Sequence, residues 1–426
     1  MFATYAARWL GRRNIHYAWM MALLVFLTML VSAAAIGLPG AFIRPLSHEF
    51  GWSVEQISSA LALRFALFGL MGPFAAILME RYELRTLMCG ALVLITVALL
   101  SATMMTQVWQ LVVLWGLVLG LGAGLIALVL GAVVANRWFD KRRGLVIGLL
   151  TASSSTGQLA FLPLAAWLIE HVGWRVALLP VGASCLVVAG LVYCMVCSHP
   201  EDVSSVPYGA EPGAKPLMAR TASRPSFMEP LTTLRAVSRN RTFWVLFGTF
   251  FICGLSTSGL IQTHFISLCG DYGLAELPAA SVLAMMGVFD VVGTIASGWL
   301  SDRLDNRKLL FWYYGLRGLS LFWLPHSEFT FYGLSLFAMF YGMDWIATVP
   351  PTVKLTSATF GRLRAGLVFG WIFTGHQIGG AIAAYGAGLV RTLLLTYNPA
   401  LYAAGGACLV AAVAVFLIRR PAAAAT

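Results

Sequence analysis

The sequence predicts an all-α membrane protein with twelve transmembrane helices, arranged as two pseudo-symmetric six-helix bundles. The 426 residues are 59% hydrophobic and 11% charged, whereas a soluble domain carries about 25% charged residues. A bilayer resolves this shortage of polar surface, because apolar side chains can then face lipid. The chain also holds twelve apolar stretches of a length suited to spanning helices, and a similar charged segment occurs once in each half.

The apolar segments follow one another along the chain. None shows the alternation that a barrel strand requires, so each is expected to be a helix. Their approximate limits are 17–43, 54–79, 86–106, 108–136, 145–169, 175–197, 242–268, 278–300, 309–325, 329–353, 365–390 and 399–418.

Lysine and arginine are distributed unevenly between the connections. With the N-terminus inside, the outer loops hold Arg44, Arg175 and Arg391, and the remaining basic loop residues lie on the cytoplasmic side. Because cytoplasmic loops are enriched in Lys and Arg, we expect both termini in the cytoplasm and a multi-pass protein of a cell membrane, of the bacterial inner-membrane type. These clusters account for the net charge of +11, so no nucleic-acid partner is expected.

The longest polar stretch follows the sixth segment. It contains six prolines among scattered Ser and Arg residues, which is typical of a flexible linker. The predicted organisation is an N-terminal bundle at 1–197, a cytoplasmic linker at 198–240 and a C-terminal bundle at 241–426.

Equivalent positions of the two halves carry related segments. "SGWLSDRLDNRKLL" (297–310) lies between the eighth and ninth apolar segments, and "AAILMERYELRTLM" (75–88) lies between the second and third. This repetition indicates an internal duplication.

The chain resembles the major facilitator superfamily in these segments. That family's loop signature is matched in the second half by Gly298, Leu300, Asp302, Arg303, Arg307 and Lys308, with Asp305 in place of the second glycine. In the first half Leu78, Arg81 and Arg85 are kept, while Ala76, Glu80 and Glu83 replace glycine, aspartate and glycine. The resemblance implies a secondary transporter working by alternating access between two halves.

Two further stretches are similar to monocarboxylate and oxalate–formate carriers. They are "NRWFDKRRGLVIGLLTASSSTG" (136–157) and "FGWSVEQIS" (50–58). The resemblance implies a small organic anion, such as a monocarboxylate, as the substrate and protons as the coupling ion. Two alternatives stay open: a proton-driven drug or metabolite exporter of the same fold, and a membrane sensor that has lost transport.

The charged loop residues are predicted to act in conformational gating. Asp302 and Arg303 lie where a carboxylate can pair across the interface between the halves and close the cytoplasmic side. Glu80, Arg81, Arg85 and Arg307 share this prediction. The rival interpretation is that these residues only fix the topology.

Ionisable residues inside the apolar segments are the candidates for substrate and proton binding, because each is costly there unless it is paired or hydrated. Arg64 is predicted to bind a substrate carboxylate through its planar fork of donors, or to form a structural ion pair. Asp290 and Asp344 are predicted proton carriers, with a permanent ion pair to Arg64, Arg317 or Lys354 as the alternative.

His376 and Gln377 are predicted to contact substrate, although a histidine among glycines is often only a satisfied interior residue. Monocarboxylate carriers have an aspartate–arginine pair one turn apart in the eighth helix. Asp290 fits the acid, but Thr294 stands at the arginine position. A kink is expected at Pro350–Pro351 in the tenth helix.

The sequence shows no motif of an enzyme. A phosphate-binding loop, a metal-ligand cluster and a nucleophile–base set at recognised spacing are all missing from it. Most of the seven cysteines lie within apolar segments. We therefore expect no catalytic activity, cofactor or metal, and partners limited to substrate, protons and lipid around a monomer.

Overall fold

The computed structural model describes residues 2–126, 128–210 and 226–418. In these ranges the chain is helical and forms no β-sheet, with one isolated bridge between Phe139 and Tyr208. The predicted all-α membrane fold of twelve helices in two six-helix halves is confirmed. Residues 211–225 of the predicted linker and the C-terminal tail from 419 lie outside the described ranges.

We call the membrane-crossing segments spans 1 to 12. Spans 1 to 6 are Tyr17–Phe50, Val54–Arg81, Leu84–Ala102, Val108–Trp138, Arg143–His171 and Trp174–Met195. Spans 7 to 9 are Arg241–Asp271, Glu276–Ser301 and Asn306–Trp323. Span 10 consists of two helices, Phe331–Met343 and Val349–Phe360, and spans 11 and 12 are Arg362–Leu394 and Asn398–Leu417.

Nine helices of the described chain are long and apolar enough to cross a membrane by length and composition. Spans 5, 9 and 10 do not meet this criterion of length and composition. Span 9 carries Arg307, Lys308 and Arg317, which lower its hydropathy, and span 10 is divided into two short helices.

Irregular backbone occurs in equivalent spans of both halves. Span 1 changes to a 3₁₀ helix at Leu38–Phe42, and span 7 to a π-helix at Leu255–Gln262. Span 4 contains a π-helix at Val112–Val118, and span 10 is interrupted over 344–348. Helical segments of this kind keep their backbone hydrogen bonds within the span, and π-helical turns are frequent at functional sites.

The break in span 10 lies upstream of the predicted kink. Pro350 and Pro351 occupy the first turn of the helix that begins at Val349, where a missing N–H costs nothing. The prolines therefore start this second helix of span 10 and do not bend it. We call Val349–Phe360 the inner helix, because it is predicted to lie toward the cytoplasm.

The two halves meet along spans 2 and 11, which run antiparallel. Near the ends predicted to face outward, the Tyr385 hydroxyl donates to Glu55 Oε1 at 2.7 Å. Further inward, the Thr374 hydroxyl donates to the Gly69 carbonyl at 3.0 Å. Spans 5 and 8 also meet, where Glu170 Oε1 accepts the Leu277 N–H at 2.7 Å.

The part of the linker that the structure describes is more ordered than the composition suggested. It contains a helix at Glu229–Val237, and the carbonyl of Pro230 accepts the Trp371 indole N–H at 2.9 Å. The Arg81 guanidinium lies 3.9 Å from the centroid of the Phe227 ring. The linker thus contacts both halves.

Candidate functional site

Arg64 lies in the middle of span 2 with only 2% of its surface exposed. Its Nη1 donates to the carbonyl oxygen of Ile36 at 2.8 Å. This carbonyl lies just before the 3₁₀ segment of span 1, and Pro39 has no N–H to offer it. The irregular end of span 1 therefore provides the acceptor that positions the Arg64 guanidinium.

The charge of Arg64 has no acidic partner among the described residues. Its Nε atom is buried without a hydrogen-bond partner, and the guanidinium lies 4.6 Å from the centroid of the Phe65 ring. A buried cation is costly unless an anion or water compensates it. Arg64 thus has the donors and the charge to receive an anion.

Arg317 of span 9 contrasts with Arg64, because it is fully paired. Its Nε lies 2.8 Å from Oδ2 of Asp344, and Nη2 donates to the carbonyl oxygens of Asp344 and Trp345. Its Nη1 lies 2.9 Å from Sγ of Cys253 in span 7. The structure therefore places Asp344 in a buried ion pair, with its Oδ1 lacking a hydrogen-bond partner.

Asp290 of span 8 is buried at the break of span 10. Its Oδ1 accepts the backbone N–H of Ile346 at 2.9 Å and the Thr294 hydroxyl at 3.0 Å. Thr294, at the position of the carrier arginine, is thus a neutral hydrogen-bond donor to the acid. Asp290 and Arg317 satisfy backbone groups on two sides of the same break.

His376 and Gln377 lie in span 11, but they face different neighbours. The His376 ring stacks on Phe373 at a centroid distance of 5.7 Å, and its Nδ1 is buried without a hydrogen-bond partner. Gln377 is 4% exposed and packs against Gly69 of span 2, with its Oε1 also unpartnered. Gln377 therefore keeps hydrogen-bonding capacity at the contact between the halves, whereas the His376 ring lies within the second half, 4.9 Å from the centroid of the Phe250 ring of span 7.

The predicted gating residues of the second half form contacts within that half. Asp302 forms an ion pair with Lys354 of span 10. The Arg303 guanidinium lies 4.1 Å from the centroid of the Trp299 ring. Arg307 pairs with Asp305 at 2.6 Å, and this aspartate also accepts the Arg307 backbone N–H at the start of span 9.

In the first half the equivalent residues have other partners. Arg85 Nε donates to the carbonyl oxygen of Val196 at 2.9 Å. Glu80 interacts electrostatically with Arg137 and Glu229, and Arg81 contacts the Phe227 ring. Of these three residues, Arg81 thus contacts the linker, and Arg85 ties span 3 to the end of span 6.

Sequence reasoning missed several groups that complete the site. Ile36 and Cys253 take part through a carbonyl and a thiol inside apolar runs, which no sequence pattern distinguishes. Glu55 and Glu170 join the halves near their outer ends; both are charged residues at segment ends, so their position alone could have suggested an outer contact. Over the described residues, no group of three or more His, Cys, Asp or Glu is arranged to hold a metal ion.

The chain matches known proteins along most of its length. The family model described as Major Facilitator Superfamily matches residues 24–384. Monocarboxylate transporter 13 of Bos taurus is 25% identical over 391 residues, 91% of this chain and 86% of that protein. The MFS-type transporter YcxA of Bacillus subtilis is 24% identical over 365 residues, 82% of each chain.

Solved structures share the fold. A bacterial homolog of the human lysosomal transporter Spinster, in an inward-facing and occupied conformation, superposes with a TM-score of 0.70 at 16% sequence identity. The similarity covers 95% of this chain and 97% of that chain.

Proposed function

We propose a transport function from the premise that the chain belongs to the Major Facilitator Superfamily. It is a multi-pass membrane transporter of a small molecule. The substrate that we assign is a small organic anion such as a monocarboxylate, moved together with protons by alternating access. The halves at 1–197 and 241–426 would rock about the linker at 198–240, in a monomer with both termini in the cytoplasm of a bacterial cell.

The single observation that carries the choice of an anion is the unpaired charge of Arg64. Arg317 is compensated by Asp344, whereas Arg64 has a backbone carbonyl and a free Nε. A planar guanidinium binds carboxylates through parallel hydrogen bonds. A substrate carboxylate would therefore supply both the missing charge and the missing acceptor.

Gln377 and His376 support the proposal from the other half. Gln377 has an unpartnered buried Oε1 where span 11 packs on span 2, and His376 has an unpartnered buried Nδ1 on the side of span 11 that faces span 7. Substrate groups that bond to both halves would favour the conformations in which the halves enclose the substrate. The name of one relative points to the same substrate class, since Monocarboxylate transporter 13 of Bos taurus is similar to this chain over most of its length.

Asp344 and Asp290 are the proposed sites of proton binding. Asp344 keeps one buried oxygen without a partner, where a proton can be added, and Arg317 would then lose its counter-charge. Asp290 holds the break of span 10 through the Ile346 N–H. Protonation of either carboxyl would loosen span 10, which links proton binding to movement of its inner helix.

The loop charges are proposed to gate the cytoplasmic side. The Asp302–Lys354 ion pair fixes the inner helix of span 10 to span 8. When the cytoplasmic side is closed, the cytoplasmic ends of the other spans would be held by Glu80, Arg81, Arg85, Arg303 and Arg307.

Uptake into sealed proteoliposomes tests this function. Purified protein with a pH gradient, acidic outside, should accumulate a radiolabelled monocarboxylate above empty vesicles, and Arg64→Gln should abolish that uptake. Arg239→Gln, at an exposed arginine of the linker, is the matched control and should transport normally.

Two results would overturn the proposal. Normal uptake by folded Arg64→Gln protein would remove Arg64 from the substrate site. Uptake that is equal with and without the pH gradient would remove proton coupling while leaving anion transport in place.

A further inference from the structure

The chain begins with a short helix that is separate from the twelve spans. It covers Phe2–Gly11 and packs on span 6 and on the 3₁₀ turn at Pro200–Val203. Ala3 and Leu10 are buried and fix one face of this helix to the protein. Span 6 carries Leu186, Val187 and Tyr193, which are strongly exposed. The helix therefore lies beside a lipid-facing span, at its end predicted to be cytoplasmic.

The opposite face of this helix is aromatic and exposed. Tyr5 and Trp9 expose 74% and 46% of their surface, and Ile15 beyond the helix exposes 44%. Tyrosine and tryptophan favour the boundary between water and acyl chains, because their rings are apolar with one polar group.

The charge of this segment has one sign. Residues 1–16 contain Arg8, Arg12 and Arg13 and no Asp or Glu. All three arginines are exposed, and none has an acidic partner within the described parts of the chain. Arg13 lies 4.2 Å from the centroid of the Trp9 ring, which places cation and aromatic ring together. Partial burial lowers the pKa of His16, although its hydrogen bond with the Val206 backbone acts in the opposite direction. The positive side-chain charge of this segment therefore comes from the three arginines.

We infer that Phe2–Arg13 is an interfacial binding site for anionic phospholipid headgroups, with Tyr5 and Trp9 inserted at headgroup depth and the three arginines bound to lipid phosphates. Because this basic patch lies beside a lipid-facing span, the anionic membrane surface is the binding partner closest to it. Amphipathic helices with basic and aromatic residues bind membranes by this combination of burial and charge. Each arginine close to an anionic surface should raise lipid affinity about fivefold.

Lipid-dependent melting of the full-length protein in detergent tests the site. Phosphatidylglycerol should raise the melting temperature of the wild type at lower concentrations than phosphatidylcholine does. Arg8→Gln/Arg12→Gln/Arg13→Gln should need at least tenfold more phosphatidylglycerol for the same shift. Arg235→Gln/Arg239→Gln/Arg241→Gln removes the same charge from exposed positions near the linker and should respond like the wild type. An equal response of all three proteins, or an equal loss in both variants, would overturn the inference.

Fluorescence quenching tests the position of Trp9 independently of stability. In vesicles with lipids brominated near the headgroup, the wild type should show a quenched component that Trp9→Phe removes, and phosphatidylglycerol should increase it. Identical quenching of wild type and Trp9→Phe would show that Trp9 is outside the lipid. In pure phosphatidylcholine the triple arginine variant should melt like the wild type, which separates lipid binding from a folding defect.

Discussion

Asp290 of span 8 and Ile346 of span 10 are joined by a hydrogen bond of 2.9 Å between Oδ1 and the backbone N–H. On the other side of the break, Arg317 binds the carbonyl oxygens of Asp344 and Trp345. Backbone groups at membrane depth cannot rely on water. One aspartate and one arginine therefore take the place of the missing helical hydrogen bonds, and both residues stabilise the break of span 10.

Asp290→Ala should destabilise the protein by about 1–3 kcal/mol, because it leaves the Ile346 N–H without its acceptor. Asp290→Asn keeps a side-chain oxygen and should cost less. Ser281→Ala on the same span removes only a hydroxyl bond to the Leu277 carbonyl and serves as the control. Thermal unfolding of the purified variants measures the difference, and equal stability of the alanine variants would contradict the capping role.

The ion pair between Arg317 and Asp344 should behave as a unit. Arg317→Met leaves a buried carboxylate uncompensated, which should destabilise the protein by about 3–5 kcal/mol. Arg317→Met/Asp344→Leu removes both charges and should recover part of that loss, because the carbonyls of Asp344 and Trp345 still lack their donor. Melting curves of the two variants decide the matter; a double variant no more stable than the single one would show that the Arg317 bonds to backbone carbonyls dominate.

Sequence alone was sufficient for the spans, because burial in lipid requires long apolar runs that composition reveals. It was insufficient for their interruptions. The π-helical stretch Leu255–Gln262 is more polar than the helix before it, but polar residues inside a span do not specify a change of hydrogen-bonding period. The break over 344–348 was predicted at Pro350–Pro351 instead, since proline in a first helical turn looks the same in sequence as proline at a kink.

The partners of the buried charges were also beyond sequence. Asp344 was paired in sequence reasoning with three possible cations, and only the packing of span 9 against span 10 selects Arg317. Arg64 and Arg317 look alike as single arginines in apolar runs. Their different environments depend on which neighbouring span provides a carboxylate or a carbonyl.

Arg64→Lys should separate charge from geometry at the proposed substrate site. Lysine keeps the positive charge but cannot form two parallel hydrogen bonds with a carboxylate. We expect KM for a monocarboxylate to rise about tenfold, equivalent to about 1.4 kcal/mol, with kcat changed less. Concentration-dependent uptake gives both constants, and a Lys variant as inactive as Arg64→Gln would show that the fork itself is essential.

Gly254→Ala should be severely destabilising. A Cβ at Gly254 would overlap the His376 carbonyl, which is backbone and cannot move aside. A comparable overpacking costs about 1–3 kcal/mol or more. Gly248 lies in the same helix with nothing within 4 Å of its added Cβ, so Gly248→Ala should be neutral or stabilising. Expression and melting temperature of the two variants test this contact between spans 7 and 11.

The ion pair between Asp302 and Lys354 should affect transport much more than stability. Their side chains are 64% and 41% exposed, and exposed ion pairs contribute about 0–1 kcal/mol. Asp302→Asn should therefore melt close to the wild type.

If the pair closes the cytoplasmic side, Asp302→Asn should transport more slowly than the wild type. Asp302→Lys/Lys354→Asp should restore part of the rate, because it restores the attraction with the two charges exchanged. If these residues only fixed the topology, Asp302→Asn would not slow transport at all, because Lys and Arg set the orientation and an aspartate contributes little to it. Initial uptake rates in proteoliposomes, measured at low and high salt, distinguish these cases, because salt screens an exposed pair and leaves the topology of the inserted protein unchanged.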